Sequence, residues 1–261
     1  MMKTHQTPIL IAGGRTTGLT MACELARHGV AVRIVDQSLG IDPHCRATVI
    51  HSRTLELFQD LGLVDEILAE GMKLRGVRQY ANGRLFQHAC YGDVDSPYPF
   101  AVSLGQNRTE AILERQLDRF GVAVERSTEL VTFTQHPDGV RATLRHADYR
   151  EEIVETPWLI GCDGAHSRVR HVNGQDFPGE EDPHQYVLAD VVVDAPIARN
   201  EWYSFLTDRG ALFLFVLDNE RLSRQICRSS TMRPKDQPWK RSRAWYPIAG
   251  RRVCRFAIRT G

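Results

Sequence analysis

The first apolar stretch of the chain is short and unbroken. Pro8-Ile-Leu-Ile-Ala12 is too brief for a helix and lacks the polar alternation of a half-exposed strand, so it reads as a buried parallel strand. Gly13, Gly14 and Gly18 follow. From Leu19 to His28, residues Leu19, Cys23, Leu25 and Ala26 recur at helical spacing, and Gly29 closes the helix. Ala31-Val-Arg-Ile-Val-Asp36 is a second β-rich run that ends in an acid. Strand, glycine turn, helix, strand and acid form a βαβ unit of the nucleotide-binding kind.

Further along, Leu55, Phe58 and Leu61 predict a helix from Ser52 to Gly62, with a second short helix running to Glu70. The pattern changes over 73–103. There Val77, Tyr80, Leu85 and Phe86 flank Asn82-Gly83, which predicts a β-hairpin. Ile112, Leu113, Leu117 and Phe120 give a helix from Thr109 to Phe120, ended by Gly121. Residues 122–154 alternate as strands around the turn His136-Pro-Asp-Gly139. Trp158-Leu-Ile-Gly-Cys162 is another short apolar strand that meets Asp163-Gly164. Beyond Pro178, Tyr186–Val193, Trp202–Leu206 and Leu212–Leu217 are β again. The expected fold class is α/β: a Rossmann-like domain over 1–175 with a second, mainly antiparallel β-sheet domain. In this division 73–103 is an insertion that pairs with the second domain, 176–231 is part of that domain, and 232–261 is an atypical tail.

Composition changes this picture in two places. The 261 residues are 42% hydrophobic and 25% charged, enough for a sizeable core, and no apolar run is long enough to span a bilayer. Met1–Thr7 is polar and runs straight into a strand, so no leader is expected, and the cytoplasm is the expected compartment. The six cysteines are scattered without a CxxC pair, which argues for reduced thiols and against a metal site. The net charge of +1 conceals an asymmetry: Arg228–Gly261 holds ten Lys or Arg and one acid, so the body is mildly acidic and the tail strongly basic. Met232–Trp245 has no usable apolar period. It reads as an out-of-frame extension, with a basic arm for nucleic acid or another anionic partner as the lesser alternative.

The glycine turn carries the first chemistry. A dinucleotide site uses Gly-x-Gly-x-x-Gly for a tight turn, for backbone approach to the pyrophosphate, and for close helix–strand packing. Here Gly13, Gly14, Thr17 and Gly18 are in place, but Arg15 stands where the second motif glycine belongs. The reading favoured on sequence is that its β-carbon and long side chain obstruct the phosphate; a phosphate-pairing guanidinium is the alternative. Asp36, 18 residues after Gly18, suits hydrogen bonds to the ribose hydroxyls of an adenosine.

Residues 8–36, followed by Arg46-Ala-Thr-Val-Ile-His-Ser-Arg-Thr-Leu-Glu-Leu-Phe58, resemble the opening of the FAD-dependent aromatic hydroxylases related to para-hydroxybenzoate hydroxylase, nearest to the phenol and polyketide hydroxylase branch. Leu104–Glu110 resembles the segment whose glutamine, here Gln106, touches FAD. Trp158–Arg170 resembles the family's Asp-Gly fingerprint. The resemblance, over about residues 8–225, implies Arg46 and Gln106 as FAD contacts. It also implies that Asp163 and Gly164 serve the flavin site and the NAD(P)H reaction. The family's third fingerprint, a Gly-Asp motif, has no counterpart in 176–261, which implies a shortened member. The implied activity is NAD(P)H-driven, FAD-dependent hydroxylation of a small aromatic or polyketide-like substrate, with a homodimer open. The alternatives are a flavin-free remnant with a binding or unrelated activity, and an NAD(P)H-dependent reductase without oxygenation. No histidine, carboxylate pair or nucleophile stands out as a catalytic residue of the chain itself.

Overall fold

Leu10 and Ile11 are fully buried because β2 (Ile9–Ala12) lies inside a parallel sheet, between β13 (Trp158–Gly161) and β3 (Val32–Val35). The order β13-β2-β3-β9, with β9 at Val124–Glu125, is parallel at every step. Parallel strands need crossovers, and α1 (Thr16–Arg27) supplies the one between β2 and β3. It buries Gly18, Leu19, Ala22 and Cys23 and ends ahead of Gly29, which has a φ of +74°. Helix α4 (Gln106–Arg119) packs beside α1. The computed structural model describes residues 4–6, 8–43, 47–180, 185–194, 197–207, 210–217, 221–228, 247–248, 251–252 and 255–257.

A second sheet, β1-β12-β11-β10, is built from β10 (Glu129–His136), β11 (Gly139–Arg145), β12 (Glu151–Thr156) and β1 (Thr4–Gln6). Its three long strands form an antiparallel meander, and β1 joins parallel to β12. Strand alternation turns Leu130, Phe133, Ala142, Leu144 and Val154 to one side, where they form a core with Leu10, Ala12 and Val35. The short helix α5 (Arg168–Val172) follows β13.

The hairpin predicted at Asn82-Gly83 joins β6 (Gly76–Ala81) to β7 (Arg84–Cys90). Asn82 and Gly83 have φ of +47° and +80°, the left-handed pair that a tight hairpin turn demands. These strands belong to a seven-stranded sheet. Its other members are β14 (Gln185–Asp194), β15 (Glu201–Thr207), β16 (Gly210–Val216), β17 (Arg221–Arg228) and β20 (Arg255–Ala257), in the order β20-β14-β17-β16-β15-β6-β7. The join between β6 and β15 is parallel and runs from Gly76↔Glu201 to Ala81↔Leu206. Tyr80, Tyr203, Phe205, Leu212, Leu214 and Val216 share a core with Leu74 and Ala101. Those two come from a small sheet of β4 (Val49–Ile50), β8 (Ala101–Ser103) and β5 (Met72–Leu74), with α2 (Ser52–Asp60) and α3 (Val64–Glu70) between β4 and β5.

The chain forms two compact units. One comprises Met1–Cys45, Leu61–Leu63 and Gln106–Gly179; the other comprises Arg46–Asp60, Val64–Gly105 and Glu180–Gly261. The excursion into the second unit is therefore wider than the 73–103 read from the change of period. Helical periodicity over 52–70 reports local conformation and says nothing of which core the helices join. Of the basic tail, β18 (Pro247–Ile248) pairs with β19 (Arg251–Arg252), and β20 pairs with β14. The rest of what the sequence suggested for the tail falls outside the described residues.

Candidate functional site

The turn between β2 and α1 is closed by contacts that exclude side chains at three positions. Gly13 has a φ of +107° and gives its N–H to the Val35 carbonyl at 2.8 Å. A β-carbon there would strike the Cys162 carbonyl oxygen and lie 2.8 Å from the Asp163 nitrogen. At Gly14 a β-carbon would come within 2.7 Å of Val124 Cγ1 and 3.0 Å of Asp36 Cβ. At Gly18 it would land on the Gly13 carbonyl oxygen, so helix and strand approach as closely as backbones can. Thr17 is exposed on the first turn of α1.

Arg15 is the N-cap of α1, at φ −100° and ψ −172°, and its side chain makes no capping bond. The cap comes from α4 instead. Glu110 is 1% exposed, and its Oε1 accepts the Thr16 N–H at 3.3 Å and the Thr16 hydroxyl at 3.1 Å. The same oxygen accepts Gln106 Nε2 at 2.8 Å, which ties Gln106 to the glycine turn. A buried carboxylate at a helix N-terminus is held by the unsatisfied N–H groups and the positive end of the dipole.

Asp36 follows β3 and is 8% exposed. Its Oδ2 accepts the Gly14 N–H at 2.5 Å; its Oδ1 accepts the Ser38 N–H at 2.7 Å and also the Ser38 hydroxyl. Arg126 adds charge, with Nη1 3.7 Å from Asp36 Oδ1 and 3.3 Å from Ser38 Oγ, while its Nη2 pairs with Glu114. The acid is thus aimed along the glycine turn and fixed there by three residues.

Asp163 stands after β13 and caps α5. Its Oδ1 accepts the Ser167 hydroxyl at 2.6 Å, and its Oδ2 accepts the N–H groups of Arg168 at 2.6 Å and Val169 at 3.2 Å. Gly164, at φ +79°, makes the turn between them. Burial, and then the neighbouring Asp163, push the Cys162 thiol above its ordinary pKa. The fold therefore gathers Gly13, Gly14, Gly18, Asp36 and the start of the Asp-Gly turn, and links Gln106 to them through Glu110. Arg46 lies outside the described residues. Sequence reading missed Glu110 and Arg126. The only signal for either was membership of a predicted helix or strand end, because their partners are 94 and 90 residues away in the chain. Among the described residues, no group of His, Cys, Asp and Glu could hold a metal ion, and no helix is long and apolar enough to cross a membrane.

These residues suit a dinucleotide. The turn leaves no room for a β-carbon at three glycines, a helix N-terminus faces it, and a buried acid accepts the Gly14 N–H. Fold and site together define a nucleotide-binding α/β protein with a second, mainly antiparallel sheet. The chain belongs to the FAD binding domain family, which it matches over residues 6–251, beyond the 8–225 over which the resemblance was read. It is 38% identical over 208 residues to 6-methylpretetramide 4-monooxygenase of Streptomyces rimosus, covering 79% of this chain and 37% of the relative. It is 29% identical over 211 residues to pentachlorophenol 4-monooxygenase of Sphingobium chlorophenolicum, covering 80% and 39%. Among solved structures, p-nitrophenol 4-monooxygenase from Pseudomonas putida DLL-E4 has a TM-score of 0.82 at 20% identity, covering 90% of this chain and 60% of that one. Aklavinone-11 hydroxylase in ternary complex with FAD and aklavinone has a TM-score of 0.75 at 26% identity, covering 92% and 49%. The chain spans less than half the length of these two curated relatives.

Proposed function

We propose that this chain binds FAD at the β2–α1 turn as part of an NAD(P)H-using monooxygenase that hydroxylates a small aromatic or polyketide-like substrate. The observation that carries the reading is the Asp36 carboxylate, buried and fixed against the Gly14 amide at the mouth of a glycine cradle. In this reading Gly13, Gly14, Thr17 and Gly18 surround the diphosphate, and Asp36 accepts hydrogen bonds from the adenosine ribose. By the resemblance, Arg46 joins Asp36 at the adenosine end, Gln106 is a further FAD contact, and Asp163 with Gly164 serves the flavin site. Bound there, FAD supplies the redox chemistry that no side chain offers; the protein contributes position and exclusion of water. Hydroxylation is preferred to simple reduction because the relatives above are named as monooxygenases and a hydroxylase.

The scattered thiols agree with a cytoplasmic setting. A homodimer is the assembly proposed, and Leu85 and Phe86 of β7, 48% and 55% exposed, are apolar side chains it would cover. The test is a titration of the purified chain with FAD, followed by flavin absorbance and fluorescence. Stoichiometric uptake to give a yellow protein is expected. A folded chain that takes up no FAD would overturn the reading in favour of a flavin-free remnant.

A further inference from the structure

We infer that Arg15 pairs with the diphosphate of the bound dinucleotide, its guanidinium being held beside the glycine turn by Asp42 until the anion displaces that carboxylate. The identity of the dinucleotide rests on the FAD reading above; the charge argument at the turn does not.

Arg15 has extended backbone that any residue adopts, so the position imposes no conformational need for glycine, unlike Gly13. Its side chain turns to Asp42, with Nη2 3.6 Å from Oδ2, and the two side chains are 41% and 18% exposed. That geometry draws the long side chain onto a neighbouring acid and leaves only the β-carbon at the turn. The contact is also weak: a half-buried pair beyond hydrogen-bonding distance is held by charge alone. A diphosphate offers more charge than a carboxylate and several oxygens to the planar guanidinium fork, so it is the stronger partner.

Carboxylates near this turn make an added cation useful to an entering anion. Asp36 and Glu110 bring carboxylates to Gly14 and Thr16, Asp42 lies at the tip of Arg15, and Arg126 is shared between Asp36 and Glu114. A dianion entering beside the Asp36 and Glu110 carboxylates gains from a cation at the turn as well as from helix N–H groups.

The experiment compares the wild-type chain, Arg15→Gly and Asp42→Asn. FAD is followed by fluorescence, and ADP and adenosine by calorimetry, at low and high salt. Arg15→Gly should weaken FAD and ADP about tenfold, equivalent to about 1.4 kcal/mol, and leave adenosine unchanged. The deficit should shrink as salt rises, and the urea midpoint should match wild type. Asp42→Asn should tighten FAD and ADP by removing the competing anion. Arg15→Gly that binds FAD and ADP as well as wild type overturns the inference, and tighter binding by that variant restores obstruction. A wild-type chain that binds ADP but not FAD overturns the FAD reading alone, and the ADP series then decides for or against Arg15. Binding of neither overturns both.

Discussion

Arg33 is clasped by two carboxylates. It meets Glu125 at 2.5 and 2.7 Å and Glu152 at 2.8 Å through two nitrogens, while His146 Nε2 lies 2.8 Å from Glu152. Hydrogen bonding to Arg33 is the main force lowering the Glu152 carboxyl from 4.5 to about 2, with His146 assisting and burial opposing. A carboxyl depressed in the folded state contributes stability above its unfolded pKa and loses it as pH falls through the folded one. Stability on the order of 3 kcal/mol should therefore vanish between about pH 4.5 and 2. Urea midpoints across that range should fall for wild type and stay flatter for Glu152→Gln. Ser204 gives the opposite case: it is fully buried, and its hydroxyl has no hydrogen-bond partner among the described residues. Ser204→Ala should raise stability by about 1 kcal/mol, since the substitution removes an unpaired polar group. A lower melting temperature would show that the hydroxyl has a partner. Asp36 was legible because a strand end after a glycine turn is a fixed place in the βαβ unit. Glu152, Glu110 and Arg126 were not, because a charged residue in an alternating strand or on a helix reads as a solvated face until its distant partner is known.

At the scale of elements, glycine has different meanings at different turns. A β-carbon at Gly18 would collide with the Gly13 carbonyl, whereas at Gly164 nothing lies within 4 Å and only its φ of +79° is costly. Gly18→Ala should thus destabilise by about 1–3 kcal/mol or more, with strand and helix forced apart. Gly164→Ala should cost about 1–2 kcal/mol. Equal losses in thermal unfolding would contradict this ranking. The long periodic elements were readable: α1, α2, α4, the β6–β7 hairpin and the meander all fall where the pattern put them, within a few residues. Strands β4, β5 and β8 were not separately legible, because two or three residues cannot display a period, and their pairing comes from chain segments far apart.

Over the whole molecule, the interleaving of the two units has a consequence for cutting the chain. A fragment ending at residue 179 retains every segment of the first unit but leaves β6 without β15. Leu74, Tyr80 and Ala101 would lose Tyr203, Phe205, Leu212, Leu214 and Val216 from their shared core. That fragment should bind a hydrophobic dye strongly and aggregate, whereas the full chain should not. Dye binding equal to that of the full chain would show that 46–105 finds another partner.

The sequence by itself determined the βαβ opening, the helix and strand periods, the glycine turn with its acid and the resemblance to flavoprotein hydroxylases. Each of these depends on neighbours within one element or one turn. Tertiary structure decided that 46–60 joins the second unit, that Glu110 caps a helix 94 residues away and that Arg15 turns toward Asp42. Those outcomes depend on burial and charge compensation between segments remote in the chain, and no local period encodes such pairings.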